Sequence, residues 1–212
     1  MIHNYKKVLV LAPHTDDGEL GCGGTMHRLI EQGAEVIYVA FSICEESVPK
    51  GFHRHVLADE VKEATKLLGI DENNLIIKNY RVRHFKNRRQ EILEDLVSLN
   101  KEIKPDLVLC PATTDIHQDH QTITEETMRA FKSTSILGYE FIWNSYDQKT
   151  NFFVSLSEKN IETKIEALNK YKSQGFRSYT SPENLQIMAK YKGLQVKRNL
   201  VEAFQVIRLI SD

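Results

Sequence analysis

Lys6–Gly24 reads KKVLVLAPHTDDGELGCGG. The part from Lys6 to Ala12 is a short apolar run, β-branched at Val8 and Val10 and stopped by Pro13, which is the signature of a buried strand. From Glu19 to Gln32 the apolar residues return at helical intervals, and Gly33 supplies a C-terminal cap. A strand, a polar turn and a helix in that order form the first half of a βαβ unit. The polar turn, Pro13-His14-Thr15-Asp16-Asp17, then falls at the carboxyl end of the strand.

The same rhythm continues outward. Glu35–Ser42 (EVIYVAFS) reads as a second strand, Phe52–Leu68 as a helix ended by Gly69, and Asn74–Lys78 as a third strand. Arg88–Ile103 has apolar residues near helical spacing and stops before Pro105. Asp106–Cys110 (DLVLC) is a fourth strand cut by Pro111, and a helix from about 118 to 131 follows. Alternation of this kind implies parallel pairing with right-handed crossovers, hence an α/β fold with a Rossmann-like, mostly parallel sheet flanked by helices. The tail changes character. Asn151–Leu156 and Ala203–Ile210 read as strands, and Ile161–Lys172 and Pro182–Tyr191 as helices, forming a small C-terminal α+β extension. No repeat or linker interrupts residues 1–212, so one domain is expected over the whole span.

Bulk properties narrow the partners. A net charge of -1, with 41% hydrophobic and 27% charged residues, points to neither nucleic acid nor an anionic membrane. The run Val8–Ala12 is too short to span a membrane or to serve as a secretion signal. Cys22, Cys44 and Cys110 are scattered and odd in number, with no C-x-x-C knuckle, and read as reduced thiols of a cytoplasmic protein.

Two polar clusters sit where ligands bind in an open parallel sheet, beyond the carboxyl ends of strands. One is His14-Thr15-Asp16-Asp17 after the first strand. The other is Asp115-Ile116-His117-Gln118-Asp119-His120 after the fourth. If these strands lie close together, the clusters meet. A dinucleotide loop needs glycine directly after the strand, whereas Asp16 and Asp17 would repel phosphate, and Gly21, Gly23 and Gly24 do not follow G-x-G-x-x-G. These glycines read instead as points of tight packing. Capping of the next helix is the plain alternative for Asp16 and Asp17. Carboxylates beside His14, with two further histidines three residues apart, suit a metal better. Two His and one Asp leave a fourth position for water, the pattern of a catalytic zinc.

The motifs also carry a resemblance. H-x-D-D-x-E-x-G-x-G-G from His14 to Gly24 and H-x-D-H from His117 to His120 are similar to the two signatures of the PIG-L/LmbE-like zinc de-N-acetylases. LLG at the end of Glu60–Gly69, YKSQ at Tyr171–Gln174 and VEAF at Val201–Phe204 extend the resemblance over almost the whole chain. It implies one Zn²⁺ per chain held by His14, Asp17 and His120. It makes Asp16 the general base toward water, and His117 a stabiliser of the tetrahedral intermediate, with the imidazolium as one form, and a candidate proton donor to the leaving amine. It gives Asp119 the task of orienting and charging His117. The implied substrate is a small N-acetylated amino sugar or its nucleotide-, lipid- or glycoside-linked conjugate, and homo-oligomers are common in the family.

Some positions depart from the family pattern. Leu57 stands where many members carry arginine, and Arg54, one turn earlier, is a candidate to reach the same space. Leu200 stands where a family tyrosine precedes A-E-x-F. Arg83 and Gln174 join Arg54 as expected substrate-binding residues. The basic stretch Tyr80–Arg89 reads either as a grip on a diphosphate or as a solvated face. Tyr139, Phe141, Trp143 and Tyr146 read as core or subunit interface in preference to a sugar-stacking wall. Competing functions are a zinc amidase for another acyl amide such as a thiol conjugate, a metal-binding scaffold without catalysis, and a nucleotide-binding module.

Overall fold

The structure is a computed structural model that describes residues 5–211; residues 1–4 and 212 of the expected single span lie outside it. Among the described residues the strands are β1 (Lys7–His14), β2 (Glu35–Ser42), β3 (Leu75–Ile77), β4 (Leu107–Pro111), β5 (Ser135–Tyr139), β6 (Phe152–Leu156) and β7 (Leu200–Arg208). The helices are α1 (Asp17–Glu31), α2 (Val56–Leu68), α3 (Arg89–Ile103), α4 (Gln118–Ala130), α5 (Glu158–Leu168) and α6 (Pro182–Val196). The strands form one sheet in the order β3-β2-β1-β4-β5-β7-β6. β1 to β5 pair in parallel, while β7 runs antiparallel to both β5 and β6. The α/β, mostly parallel architecture is therefore as the sequence implies.

Order 3-2-1-4-5 reverses direction between β1 and β4, and these two strands are direct neighbours, with Val8 opposite Leu107 and Val10 opposite Leu109. A crevice opens where strand order reverses in such a sheet. Both polar motifs lie at that point. Alternate residues of β1 face opposite cores. Val8, Val10 and Ala12 pack with residues of α1, α2, α5 and α6, whereas Leu9 and Leu11 pack with those of α3 and α4. Burial on both faces explains why the parallel strands read as unbroken apolar runs.

Helix α1 begins two residues earlier than the apolar spacing implies and breaks at Cys22, where φ is -148° and ψ is 23°. The glycines around the break let it lie close to its neighbours. A Cβ on Gly21 would stand 2.3 Å from Tyr139 Cδ2, and one on Gly24 would stand 2.6 Å from Leu156 Cδ1. Glu202 of β7 caps the restarted helix, accepting from Gly24 N–H at 3.1 Å and Thr25 N–H at 2.7 Å. Lys164 of α5 lies 2.7 Å from Glu202 and donates to the Leu20 carbonyl at 2.7 Å. Two amides and one carbonyl at the break thus find side-chain partners, as buried helix ends require.

Several element ends differ from the sequence reading. α2 starts at Val56, not Phe52, because His53–His55 form a turn. α5 runs over Glu158–Leu168, earlier than Ile161–Lys172, because Ser157 and Asn160 make a capping box. β5 is an addition to the expected strands. Its sequence, SILGY, includes Gly138, which a Cβ would bring within 2.8 Å of Ala112 Cα. There the glycine marks a close backbone approach, not a turn.

Truncating Glu202 to alanine would strand the buried Lys164 ammonium and uncap two amides. Loss of one partner of such a pair costs about 3–5 kcal/mol. Urea unfolding of Glu202→Ala is expected to show a loss of that size, whereas a loss under about 1 kcal/mol would contradict this account of the helix break.

Candidate metal centre

The site grows from two strand ends. β1 ends at His14, whose backbone N–H donates to Asp17 Oδ2 at 2.8 Å, folding Asp17 back from the first turn of α1. Asp16 occupies the N-cap position but makes no side-chain capping bond, so capping does not explain it. Beneath the turn, Tyr171 donates to the Thr15 carbonyl at 2.7 Å and Tyr38 does so at 2.9 Å; both hydroxyls also contact the buried Glu19 carboxyl. Burial raises Glu19 to about 8 despite these bonds. After β4, His117 is the N-cap of α4, and its Nδ1 accepts the Asp119 N–H at 3.2 Å. His120 follows within the first turn.

Three atoms from the two motifs converge. Asp17 Oδ2 lies 3.0 Å from His14 Nδ1 and 3.2 Å from His120 Nε2, and the two nitrogens are 3.3 Å apart. A four-coordinate zinc with bonds of about 2.0–2.1 Å has donor–donor edges of about 3.3 Å. The triangle therefore matches one face of a zinc tetrahedron. His14, His117 and His120 form a looser group, with one ring nitrogen from each within 4.8 Å of the others.

The far nitrogens of both rings in the triangle meet carboxylates. His120 Nδ1 lies 2.8 Å from Asp115 Oδ2, and His14 Nε2 lies 3.1 Å from Asp119 Oδ2. Carboxylates in this position fix the orientation of metal-binding imidazoles and raise their basicity. Asp115 also accepts the His117 N–H at 2.8 Å. Its place in the second motif is visible in the sequence, but its task follows from asking what satisfies the second nitrogen of His120. Asp119 corrects an expectation. Its carboxylate does not orient His117; it faces His14 and accepts from Arg83 N–H at 2.5 Å and Phe85 N–H at 3.3 Å. The helix cap is the reason, since His117 folds over the Asp119 amide and leaves the carboxylate turned toward β1.

Electrostatics separate the two adjacent carboxylates. Burial alone would raise Asp17, but His120 and His14 hold it well below its ordinary value. Asp16 is raised by burial and by the Asp17 charge, with Arg177 opposing. Burial would lower His120, yet Asp17 and Asp115 overcome it and lift the ring to about 10. The pocket between these groups thus stabilises positive charge, as a cation site must. His117 is pushed down to about 4 by burial and by the neighbouring His120 and His14. Neutral imidazole, not the imidazolium, is the form this environment favours. Because Nδ1 accepts an amide, the neutral ring carries its hydrogen on Nε2.

These groups line a cavity of about 380 Å³, within the range of small-molecule sites. Arg83, Leu57, Trp143, Gln174, Arg177 and Tyr179 complete much of its wall. Arg54 does not reach it. That side chain is 73% exposed and pairs with Glu45 at 2.8 Å. Arg177, absent from the sequence reading, enters from the segment before α6 and stands 3.9 Å from Asp16. It is held by Tyr179, which stacks on Trp143 at 4.1 Å, and Trp143 stacks in turn on Phe141 at 5.3 Å. Trp143 and Phe141 are therefore cavity wall as well as packing, while Tyr146 is 92% exposed. Most of the basic stretch is engaged elsewhere. Arg81 pairs with Glu46, Arg88 with Glu91, and Arg89 with Glu125 and Glu126, leaving Arg83 at the cavity.

Known proteins with the same features form a consistent group. The family described as PIG-L, GlcNAc-PI de-N-acetylase, matches residues 9–131, which include both motifs. A protein of Escherichia coli K12 described as the uncharacterized deacetylase YaiS is 30% identical over 176 residues, covering 79% of this chain and 91% of its own. Among solved structures, N,N'-diacetylchitobiose deacetylase from Pyrococcus horikoshii superposes with a TM-score of 0.79 at 24% identity, over 96% of this chain and 84% of that one. The 4-carboxy-2-hydroxymuconate hydratase from Pseudomonas putida gives the same TM-score at 16% identity, over 98% of this chain and 99% of that one. The shared fold therefore hosts more than one reaction, and chemistry must be argued from the site. With both motifs inside the matched region and joined at one cavity, the chain belongs to the PIG-L/LmbE-like de-N-acetylase family.

Proposed function

We propose that this protein is a zinc-dependent hydrolase that removes the acetyl group from the nitrogen of an amino sugar or its conjugate. The observation that carries the reading is the triangle of Asp17 Oδ2, His14 Nδ1 and His120 Nε2, with edges of 3.0, 3.2 and 3.3 Å. Deacetylases among the relatives, and the amino-sugar substrate in the family description, support the acetyl and sugar parts.

His14, Asp17 and His120 would hold the zinc, with Asp119 and Asp115 behind the two rings. When bound, the ion supplies Lewis acidity toward water and the acyl oxygen. Asp16 takes the proton of the attacking water at its carboxylate, for which its raised proton affinity suits it. His117 donates from Nε2 to the oxygen on which negative charge develops. Collapse breaks the C–N bond, and the proton held by Asp16 passes to the leaving nitrogen, giving acetate and a free amine. With His117 neutral and held by a helix amide, Asp16 is the better proton carrier of the two.

Purified protein is expected to carry about one zinc per chain, to release acetate from N-acetylglucosamine derivatives, and to lose that activity reversibly to a chelator. Asp16→Asn is expected to keep zinc and lose about 10²–10⁴-fold in kcat. His120→Ala is expected to lose the metal. Full turnover in Asp16→Asn, or full zinc in His120→Ala, would contradict the assignment.

A separate measurement concerns the carboxylates behind the rings. Zinc titrations of Asp115→Asn and Asp119→Asn should each show affinity about 10–100-fold weaker than the parent. Unchanged affinity in both would mean that the rings need no such support.

A further inference from the structure

Helix α6 is apolar on two sides. Leu185 and Ala189 are buried, and Met188 packs against the same core. On the opposite side, Ile187, Tyr191 and Leu194 are 53%, 52% and 79% exposed. Their spacing of four and three residues sets them in one stripe along the helix. A surface helix ordinarily turns its apolar stripe to the core and polar residues outward. Of the large hydrophobic side chains left exposed among the described residues, three lie on α6 and one, Leu67, on the other five helices together. The outer stripe is thus particular to α6 and not a property of the surface at large. Charge along the same helix is ordered too. Glu183 stands at its amino end, and Lys197 and Arg198 stand just past its carboxyl end, all three exposed.

We propose that the outer face of α6 docks on the same face of a second copy of this chain, antiparallel, about a two-fold axis between residues 190 and 191. In such a contact the patch must complement itself. The α6 sequence does so from end to end. That axis sets Ile187 level with Leu194 of the second copy, so the stripe covers itself. Tyr191 meets its own copy at the axis, where two rings can stack. Glu183 comes level with Arg198 of the second copy, with Lys197 beside it, and symmetry makes this pairing twice. A parallel pairing would instead set Glu183 against Glu183 and Arg198 against Arg198. A lipid surface would take the stripe and the basic end but would leave Glu183 facing anionic headgroups. Three such side chains expose on the order of 400 Å², so a pair buries about 800 Å² of stripe, below the roughly 1,200–2,000 Å² of a stable interface. The dimer is therefore reversible and depends on concentration. It stands independently of the deacetylase reading.

Sedimentation equilibrium of the full chain from about 1 µM to about 1 mM is expected to show a monomer–dimer equilibrium. Leu194→Glu should weaken it at least about 10-fold while keeping the parent's thermal midpoint, because the position is exposed. Glu183→Arg and Arg198→Glu should each weaken self-association. An equimolar mixture of the two should dimerise about as well as the parent, since each copy then restores the other's ion pair. Lys190→Cys should form a disulfide-linked dimer on mild oxidation and Glu183→Cys should not, because an antiparallel pair holds the two copies of residue 183 roughly 20 Å apart. The native cysteines, Cys22, Cys44 and Cys110, are buried and give no background. A chain monomeric at every concentration, association untouched by Leu194→Glu, or charge variants that do not recover on mixing would overturn the proposal. Binding to phosphatidylglycerol vesicles through Leu194 by a chain that stays monomeric would overturn it in favour of a lipid surface. Should Leu194→Glu not fold, the charge variants and the two cysteine variants carry the same test.

Discussion

One carboxylate oxygen, Asp17 Oδ2, joins the two halves of the site. It lies within 3.2 Å of ring nitrogens from His14, at the end of β1, and His120, beyond β4, residues separated by 106 positions in the chain. Three such groups crowd together at a cost unless a cation holds them, because each must lose water and two imidazoles compete for one anion. The surrounding structure bears that cost. β1 and β4 are adjacent, so the motifs are brought together by backbone pairing before any side chain is placed. Tyr38 and Tyr171 fix the Thr15 carbonyl, and Asp115 and Asp119 fix the rings. The convergence is thus built from both sides of the sheet's reversal point.

Support for the first motif reaches well beyond it. α1 must carry Asp17 at its start and still lie against the sheet, and it does so by breaking at Cys22. Glu202 of β7 caps the second part, and Lys164 of α5, buried beside it, takes the Leu20 carbonyl at the end of the first. The VEAF segment near the end of the chain therefore contributes to the site through helix geometry, not by contact with a ligand. The antiparallel strands at the sheet's edge, which in sequence look like an appendage, hold the element from which Asp17 projects.

Much of this was legible in the sequence, for identifiable reasons. β1 and β4 are short apolar runs, β1 continuing through Pro13 to His14 and β4 closing on Pro111, and the polar residues that follow stand at strand ends by simple counting. Those features are local. What the sequence left hidden depends on where side chains turn. Asp119 faces His14 because His117 caps α4, and no spacing rule distinguishes that from the opposite pairing. Arg54, one turn before Leu57, pairs with Glu45 away from the cavity, whereas Arg177 approaches Asp16 there, alongside Arg83, brought by an aromatic stack of residues distant in sequence. β5 carries Gly138, and the reason for a glycine there, close approach to Ala112, lies in a residue distant in sequence.

The central claim is that Asp17, His14 and His120, rather than the three histidines, hold the ion. Crystals grown with zinc and measured on both sides of the zinc absorption edge test it directly. A single anomalous peak is predicted, in bonding contact with Asp17 Oδ2, His14 Nδ1 and His120 Nε2 at about 2.0–2.2 Å, with His117 outside the coordination sphere. A peak bonded to His117 in place of Asp17, or no peak between these strand ends, would contradict the account.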